Sequence, residues 1–173
     1  KLDISHLSWQ LNKSFNISRG SKNTAETIEV KLTENKFTGI GECVPYGRYN
    51  ETLESVQKEI LELKDGIENS EINKKNLDQF INNGAARNAI DCALWDLESK
   101  KKKETVWSML DIQKPQEIPS SYTVVLDDPD KMIEDIYQHR EFPTIKIKVD
   151  NQNLERILTN ARESLPNTTI IVD

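Results

Sequence analysis

Two lysines spaced two residues apart, with a carboxylate closing the next apolar run, are the groups in this chain best suited to chemistry. The lysines lie in Thr144-Ile145-Lys146-Ile147-Lys148-Val149-Asp150, and the carboxylate is Asp173, which ends Thr169-Ile170-Ile171-Val172-Asp173. Ile145, Ile147 and Val149 alternate with Lys146 and Lys148, the period of a strand. Alternation puts both lysines on one face, with Cα atoms roughly 6–7 Å apart at about 3.3 Å per residue. Two ammonium groups at that spacing repel by about 2.5 kcal/mol at an effective dielectric near 20, or roughly two pKa units. That shift moves a lysine from about 10.4 toward the 7–8 a general base needs at neutral pH. The residue types therefore point to proton transfer by Lys146 and Lys148 beside a metal held partly by Asp173.

The same pattern has a plainer reading. Charged residues mostly sit exposed, so a lysine pair can be the wet face of an edge strand. Context argues against it. A helical run separates the two apolar runs, which makes a βαβ unit, and strands of such units are usually covered on both faces. Lysines there need a special place, such as the inside of a barrel near its mouth.

The elements that must position this strand follow from pattern and punctuation. Residues from Lys1 to about Val44 read as a small antiparallel meander. Phe15 to Ser21 is expected to be a loop carrying Arg19, and Pro45 to Asn50 a second loop carrying Tyr46, Arg48 and Tyr49. Helices are expected over Glu51–Leu63, with Thr52 at its start, briefly around Leu77–Ile81, and over Ala85–Lys100. The last has Ala86, Ala89, Ile90, Ala93, Leu94 and Leu97 on one face, small enough for close packing. Val106–Leu110 adds a turn or two. Lys100–Lys103 look like a nucleic-acid patch, but cations at a helix C-terminus suit its dipole, and a solvated helix end is the reading taken. Asp91 and Asp96 read as structural polar contacts on the same helix.

A domain boundary is placed at Lys114-Pro115. Beyond it, Ile118–Leu126, a helix capped by Asp128-Pro129, the lysine strand, a helix over Asn151–Leu165 and the final apolar run alternate as strand-helix-strand-helix-strand. That is a parallel α/β array with right-handed crossovers.

Composition narrows the function classes. With 173 residues, 36% hydrophobic and 30% charged, the chain reads as a soluble globular protein of one domain or one and a half. A net charge of −6 argues against general nucleic-acid or anionic-membrane binding. No apolar run is long enough to span a bilayer, and the N-terminus lacks a signal-peptide pattern, so a cytoplasmic location is expected. Cys43 and Cys92 both sit in apolar stretches and are expected to be buried free thiols. His6 and His139 have no metal-ligand spacing.

Five stretches together carry a resemblance. They are Phe15–Ser21, Gly39-Ile-Gly-Glu-Cys-Val-Pro-Tyr46 running on to Arg48-Tyr49, Gly84-Ala-Ala-Arg-Asn-Ala-Ile-Asp-Cys-Ala-Leu-Trp-Asp-Leu97, the Lys146-Ile-Lys148 strand, and Ile171-Val-Asp173. The chain resembles the N-terminal part of the enolase superfamily, in its muconate-lactonizing branch, and within it the dipeptide epimerases of the L-Ala-D/L-Glu type. The resemblance implies an α+β capping domain over residues 1–114, followed by the start of a modified TIM barrel over 115–173, truncated after the third barrel strand. It implies that Lys148 is an acid/base lysine, that Lys146 tunes it or holds the substrate carboxylate, and that Asp173 is the first of three carboxylate ligands for Mg²⁺. It implies that Thr123 binds the dipeptide and that Arg19 recognises the acidic side chain of its second residue. It implies that Tyr46, Arg48 and Tyr49, in the other capping loop, help close the site.

The reaction implied is 1,1-proton transfer alpha to a carboxylate, in murein peptide metabolism. A lysine base with Mg²⁺ is the established usage of that superfamily rather than a consequence of the spacing above. A closed barrel needs about 250 residues and eight strands, so the chain is expected to be a fragment of a longer enzyme and inactive alone; the resemblance implies a homo-oligomer. Three alternatives stay open: a cycloisomerase or an o-succinylbenzoate synthase of the same branch, and a non-catalytic α/β module. Taken singly, Arg19 can be an ordinary surface arginine, Thr123 a strand former and Asp173 a helix cap.

Overall fold

The computed structural model describes residues 1–17, 20–150 and 153–173. The chain divides into two compact units, residues 1–10 with 24–115 and residues 11–23 with 116–173.

In the first unit, three strands form a sheet in the order β1 (Leu2–Ile17), β2 (Gly20–Glu34), β3 (Phe37–Cys43), with β1 and β2 contributing to both units. β2 and β3 are antiparallel, joined through Asn35 in the left-handed region (φ 53°). The register sets Ile28, Val30 and Leu32 opposite Cys43, Gly41 and Gly39. Those β2 side chains are buried, as period-2 alternation requires. The helices are α1 (Leu53–Glu62), α2 (Lys64–Glu68), α3 (Ala85–Lys102) and α4 (Val106–Met109), with single 3₁₀ turns at Gly47–Tyr49 and Leu77–Gln79.

α1 begins as expected on Thr52. The Thr52 hydroxyl accepts from the Ser55 N–H (3.1 Å), and the Ser55 hydroxyl accepts from the Thr52 N–H (2.9 Å). α3 buries Ala86, Ala89, Ile90 and Ala93. A Cβ on Gly41 would stand 2.0 Å from the Ala89 carbonyl oxygen and 2.7 Å from the Ala93 nitrogen; on Gly39 it would stand 2.2 Å from the Ala93 carbonyl oxygen. The two glycines let β3 lie directly on the α3 backbone. Asp96 accepts the outward Ile40 N–H (2.8 Å) and pairs with Lys100 (2.6 Å), while Lys101 pairs with Glu34 and Lys102 with Glu98. The lysine run is a helix end tied down by ion pairs.

Two expectations are corrected. Residues 15–17 and 20–21 lie in β1 and β2 rather than in a loop. Cys43 is buried and burial pushes its thiol up to about 11, but Cys92 is exposed on α3.

The second unit holds the parallel sheet β4 (Ser121–Val124), β5 (Thr144–Ile147), β6 (Thr169–Val172), in that order. α5 (Pro129–Gln138) and α6 (Leu154–Ser164) are the crossovers. Asp128 caps α5, accepting from the Asp130 N–H (3.0 Å), with Pro129 at the first helical position. Val124, Ile145 and Ile147 form one buried core with Met132 and Ile136 of α5 and Ile157, Ala161 and Leu165 from α6 and its end. The apolar side of β5 is thereby used up, and its lysines take the other face.

Candidate active site

The parallel register builds the site. Lys146 pairs with Thr123 on β4 and with Ile171 on β6, so Thr123 and Lys146 share a face. Past the end of β5 the ladder continues: the Lys148 N–H donates to the Val124 carbonyl (2.9 Å). Asp173 donates its N–H to the Ile147 carbonyl (3.0 Å), and its own carbonyl accepts from the Val149 N–H (3.0 Å). Those two bonds flank Lys148, so Asp173 stands opposite Lys148, on the face that also carries Lys146.

The side chains converge. The Lys146 Nζ lies 2.5 Å from Oδ2 of Asp173, and the Lys148 Nζ donates to the same oxygen. Hydrogen bonds from Lys146 and then Lys148 hold the Asp173 carboxyl at about 2. Asp173 is thus ionised across the physiological range. The repulsion argued from spacing alone assumed nothing between the ammonium groups. A carboxylate lies there, offsets that repulsion, and leaves the three groups with one net positive charge. With Asp173 turned to another partner, the lysines would face each other uncompensated, at a cost of about 2.5 kcal/mol.

A hard divalent cation takes oxygen ligands and is commonly held by one or two carboxylates plus substrate and water. Asp173 fits one such ligand. Among the described residues, no three His, Cys, Asp or Glu side chains come together as a metal-binding group.

The remaining expected residues fall elsewhere. Tyr46, Arg48 and Tyr49 are exposed in the first unit, on and just before the 3₁₀ turn, with the two tyrosine rings 5.8 Å apart. Glu51 anchors that turn: Oε2 accepts from the Tyr46 N–H (3.0 Å) and Oε1 from the Ala85 N–H at the start of α3 (2.7 Å). Arg19 lies outside the described residues.

Sequence reasoning missed one cluster in the second unit. Asp135 on α5 accepts from the Lys13 Nζ (2.9 Å) and the Tyr122 hydroxyl (3.1 Å), and the His139 ring stacks on Tyr122 with centroids 3.6 Å apart. The one signal available was the i,i+4 spacing of Asp135 and His139; nothing in the spacing pointed to Lys13.

The family model described as "Mandelate racemase / muconate lactonizing enzyme, N-terminal domain" matches residues 1–111. The chain belongs to that family, and its first part is the α+β capping domain of enolase-superfamily enzymes. L-Ala-D/L-Glu epimerase of Escherichia coli (strain K12) is 34% identical over 168 residues, covering 95% of this chain and 52% of the relative. N-acetyl-D-glutamate racemase of a Pseudoalteromonas species is 34% identical over 149 residues, covering 84% of this chain and 46% of the relative. An Agrobacterium tumefaciens enolase-family crystal structure, with homology to dipeptide epimerases and with bound sodium and L-Ala-L-Glu, superposes with a TM-score of 0.92 at 36% identity. It is covered over 52% of its length by 99% of this chain. The chain spans about half the length of the curated relatives it matches. No helix among the described residues is long and apolar enough to cross a membrane.

Proposed function

We propose that this chain is part of a metal-dependent epimerase that moves the proton alpha to a carboxylate, acting on L-Ala-D/L-Glu-type dipeptides such as those of murein peptide metabolism. The observation that carries the reading is the convergence of Lys146 and Lys148 on one oxygen of Asp173 across two adjacent parallel strands. Strand-borne lysines beside an ionised carboxylate match the needs of α-proton removal: a base held rigidly, and a counter-charge that can be given up.

In this reading Lys148 exchanges the α-proton, and Lys146 beside it holds the substrate carboxylate. Asp173 serves as one ligand of a Mg²⁺ ion, which when bound supplies Lewis-acid stabilisation of the charge that develops on the carboxylate oxygens. Thr123, in register with Lys146, binds the dipeptide backbone. Arg19 pairs with the acidic side chain of the second residue, and Tyr46, Arg48 and Tyr49 cover the substrate. The Escherichia coli relative and the bound L-Ala-L-Glu of the Agrobacterium structure support the dipeptide assignment. A second reading, racemisation of an N-acylated glutamate, is favoured by the equal identity of the Pseudoalteromonas relative.

The test is proton NMR in D₂O on the full-length protein with Mg²⁺, offering L-Ala-L-Glu and N-acetyl-glutamate separately. Loss of the glutamate α-proton signal on the dipeptide, stopped by EDTA, is expected. Exchange on N-acetyl-glutamate alone replaces the first reading with the second, and exchange on neither overturns both. Arg19→Met is expected to cut activity on acidic dipeptides far more than on apolar ones; equal losses sink its role.

A further inference from the structure

In the first unit, β3 is an edge strand: the sheet order is β1-β2-β3, and β2 takes one side of β3 only. In an antiparallel ladder every second residue of an edge strand turns its N–H and C=O away from the sheet. In β3 those residues are Thr38, Ile40 and Glu42. Such an edge is a template for another strand unless something covers it.

α3 meets β3 along two neighbouring rows. Ala89, Ala93 and Leu97 lie against the glycines; a Cβ on Gly39 would stand 2.5 Å from the Leu97 nitrogen. Asn88, Asp96 and Lys100 belong to the next row round the helix, spaced in multiples of four. With the helix backbone drawn in by the glycines, even short side chains of that row reach past the face to the strand edge. The Asn88 amide donates to the Glu42 carbonyl (3.2 Å). Oδ2 of Asp96 accepts from the Ile40 N–H (2.8 Å) and from the Lys100 Nζ (2.6 Å). The same Nζ donates to the Thr38 carbonyl (2.8 Å). Asp96 and Lys100 thus offer an acceptor and then a donor, as a neighbouring strand would, and Asn88 extends the row by one more donor.

We propose that Asn88, Asp96 and Lys100 form an edge guard, which takes the place of a fourth strand on β3 and keeps a second copy of this chain from adding there. A second copy is the occupant excluded because the edge is self-complementary. In an antiparallel pairing about a two-fold axis at Ile40, that residue faces the Ile40 of the other copy, and Thr38 faces the other copy's Glu42. The Ile40 side chain is 42% exposed, so such a pair would also bury apolar surface.

The test uses Asp96→Ala/Lys100→Ala in the full-length protein, which removes one charge of each sign and leaves the net charge unchanged. In dilute solution the Ile40 amide is expected to exchange with deuterium about tenfold faster, the scale of one hydrogen bond to a charged group. Sedimentation velocity over roughly 1–100 µM, the range in which open strand edges associate, is expected to show species larger than the wild-type assembly. Adding Ile40→Lys is expected to restore wild-type sedimentation, since an edge lysine resists strand pairing. Asp96→Asn, which keeps an acceptor, is expected to sediment as wild type. Wild-type sedimentation of the double variant, or association that Ile40→Lys leaves in place, overturns the inference. If the double variant does not fold, Lys100→Met decides. It uncovers the Thr38 carbonyl alone and is expected to associate near the top of the same range; sedimentation independent of concentration there overturns the inference.

Discussion

The two units are specified by opposite means. In the first, β3 meets α3 through Gly39 and Gly41, where side chains are missing, and the charged residues along α3 are paired at its rim. In the second, the apolar face of a short sheet is spent on α5 and α6, and the other face gathers two ammonium groups on one carboxylate. A contact made by removing atoms tolerates no addition. A contact made by like charges sharing a counter-ion tolerates change in shape but not in charge. The first unit is closed by backbone contact, and the second holds two ammonium groups on one shared carboxylate.

The largest effect that separates these designs is chemical. Lys148→Ala is expected to slow α-proton exchange by about 10³-fold, within the 10²–10⁴ range for a general base. The thermal midpoint should stay within about 2 °C, measured by NMR exchange and calorimetry on the same sample. Exchange at wild-type rate would remove Lys148 from the reaction; a large fall in melting temperature would make the lysine face structural. Next in size, Gly41→Ala is expected to cost about 3 kcal/mol in denaturant unfolding, the upper range for overpacking, because the added carbon meets backbone. A loss under about 1 kcal/mol would mean that α3 slides away easily.

Thr52→Ala should cost about 1 kcal/mol by loss of the capping box, read in the same titration. The smallest effect concerns reactivity. Burial, then Asp91, also raises the Cys92 thiol, but Cys92 is exposed where Cys43 is buried, so it is expected to react with a thiol reagent at pH 8 at least about tenfold faster than Cys43. The Cys43 thiol, raised to about 11, gains thiolate as pH rises, so its labelling should accelerate toward that value. Equal rates at pH 8 would show that the first unit opens readily.

Much of this is legible in the sequence itself. Alternation placed Lys146 and Lys148 on one face, Thr52 and Asp128-Pro129 announced their helices, and the small residues of α3 announced a close approach. These signals are local, and local chemistry decides them. The stretch around Gly20 misled, because Gly and Ser mark turns only when no neighbouring strand claims the backbone. Here Ser14 with Asn23 and Asn16 with Ser21 bridge strand ends. Lys13 and Asp135 are 122 positions apart, a meeting that only the fold creates. Asp173 was legible as a carboxylate at a strand end, but not as the shared partner of both lysines, because that depends on the register of β5 with β6.

The glycines of β3 carry a genetic consequence. The atoms that a side chain at Gly39 or Gly41 would strike nearest are backbone atoms of α3, the Ala93 and Ala89 carbonyl oxygens. Trimming a neighbour cannot make room, since every amino acid brings the same carbonyl. A selection for revertants of Gly41→Ala should therefore return the original glycine codon, or changes that strengthen the fold at a distance, and no partner on the facing helix.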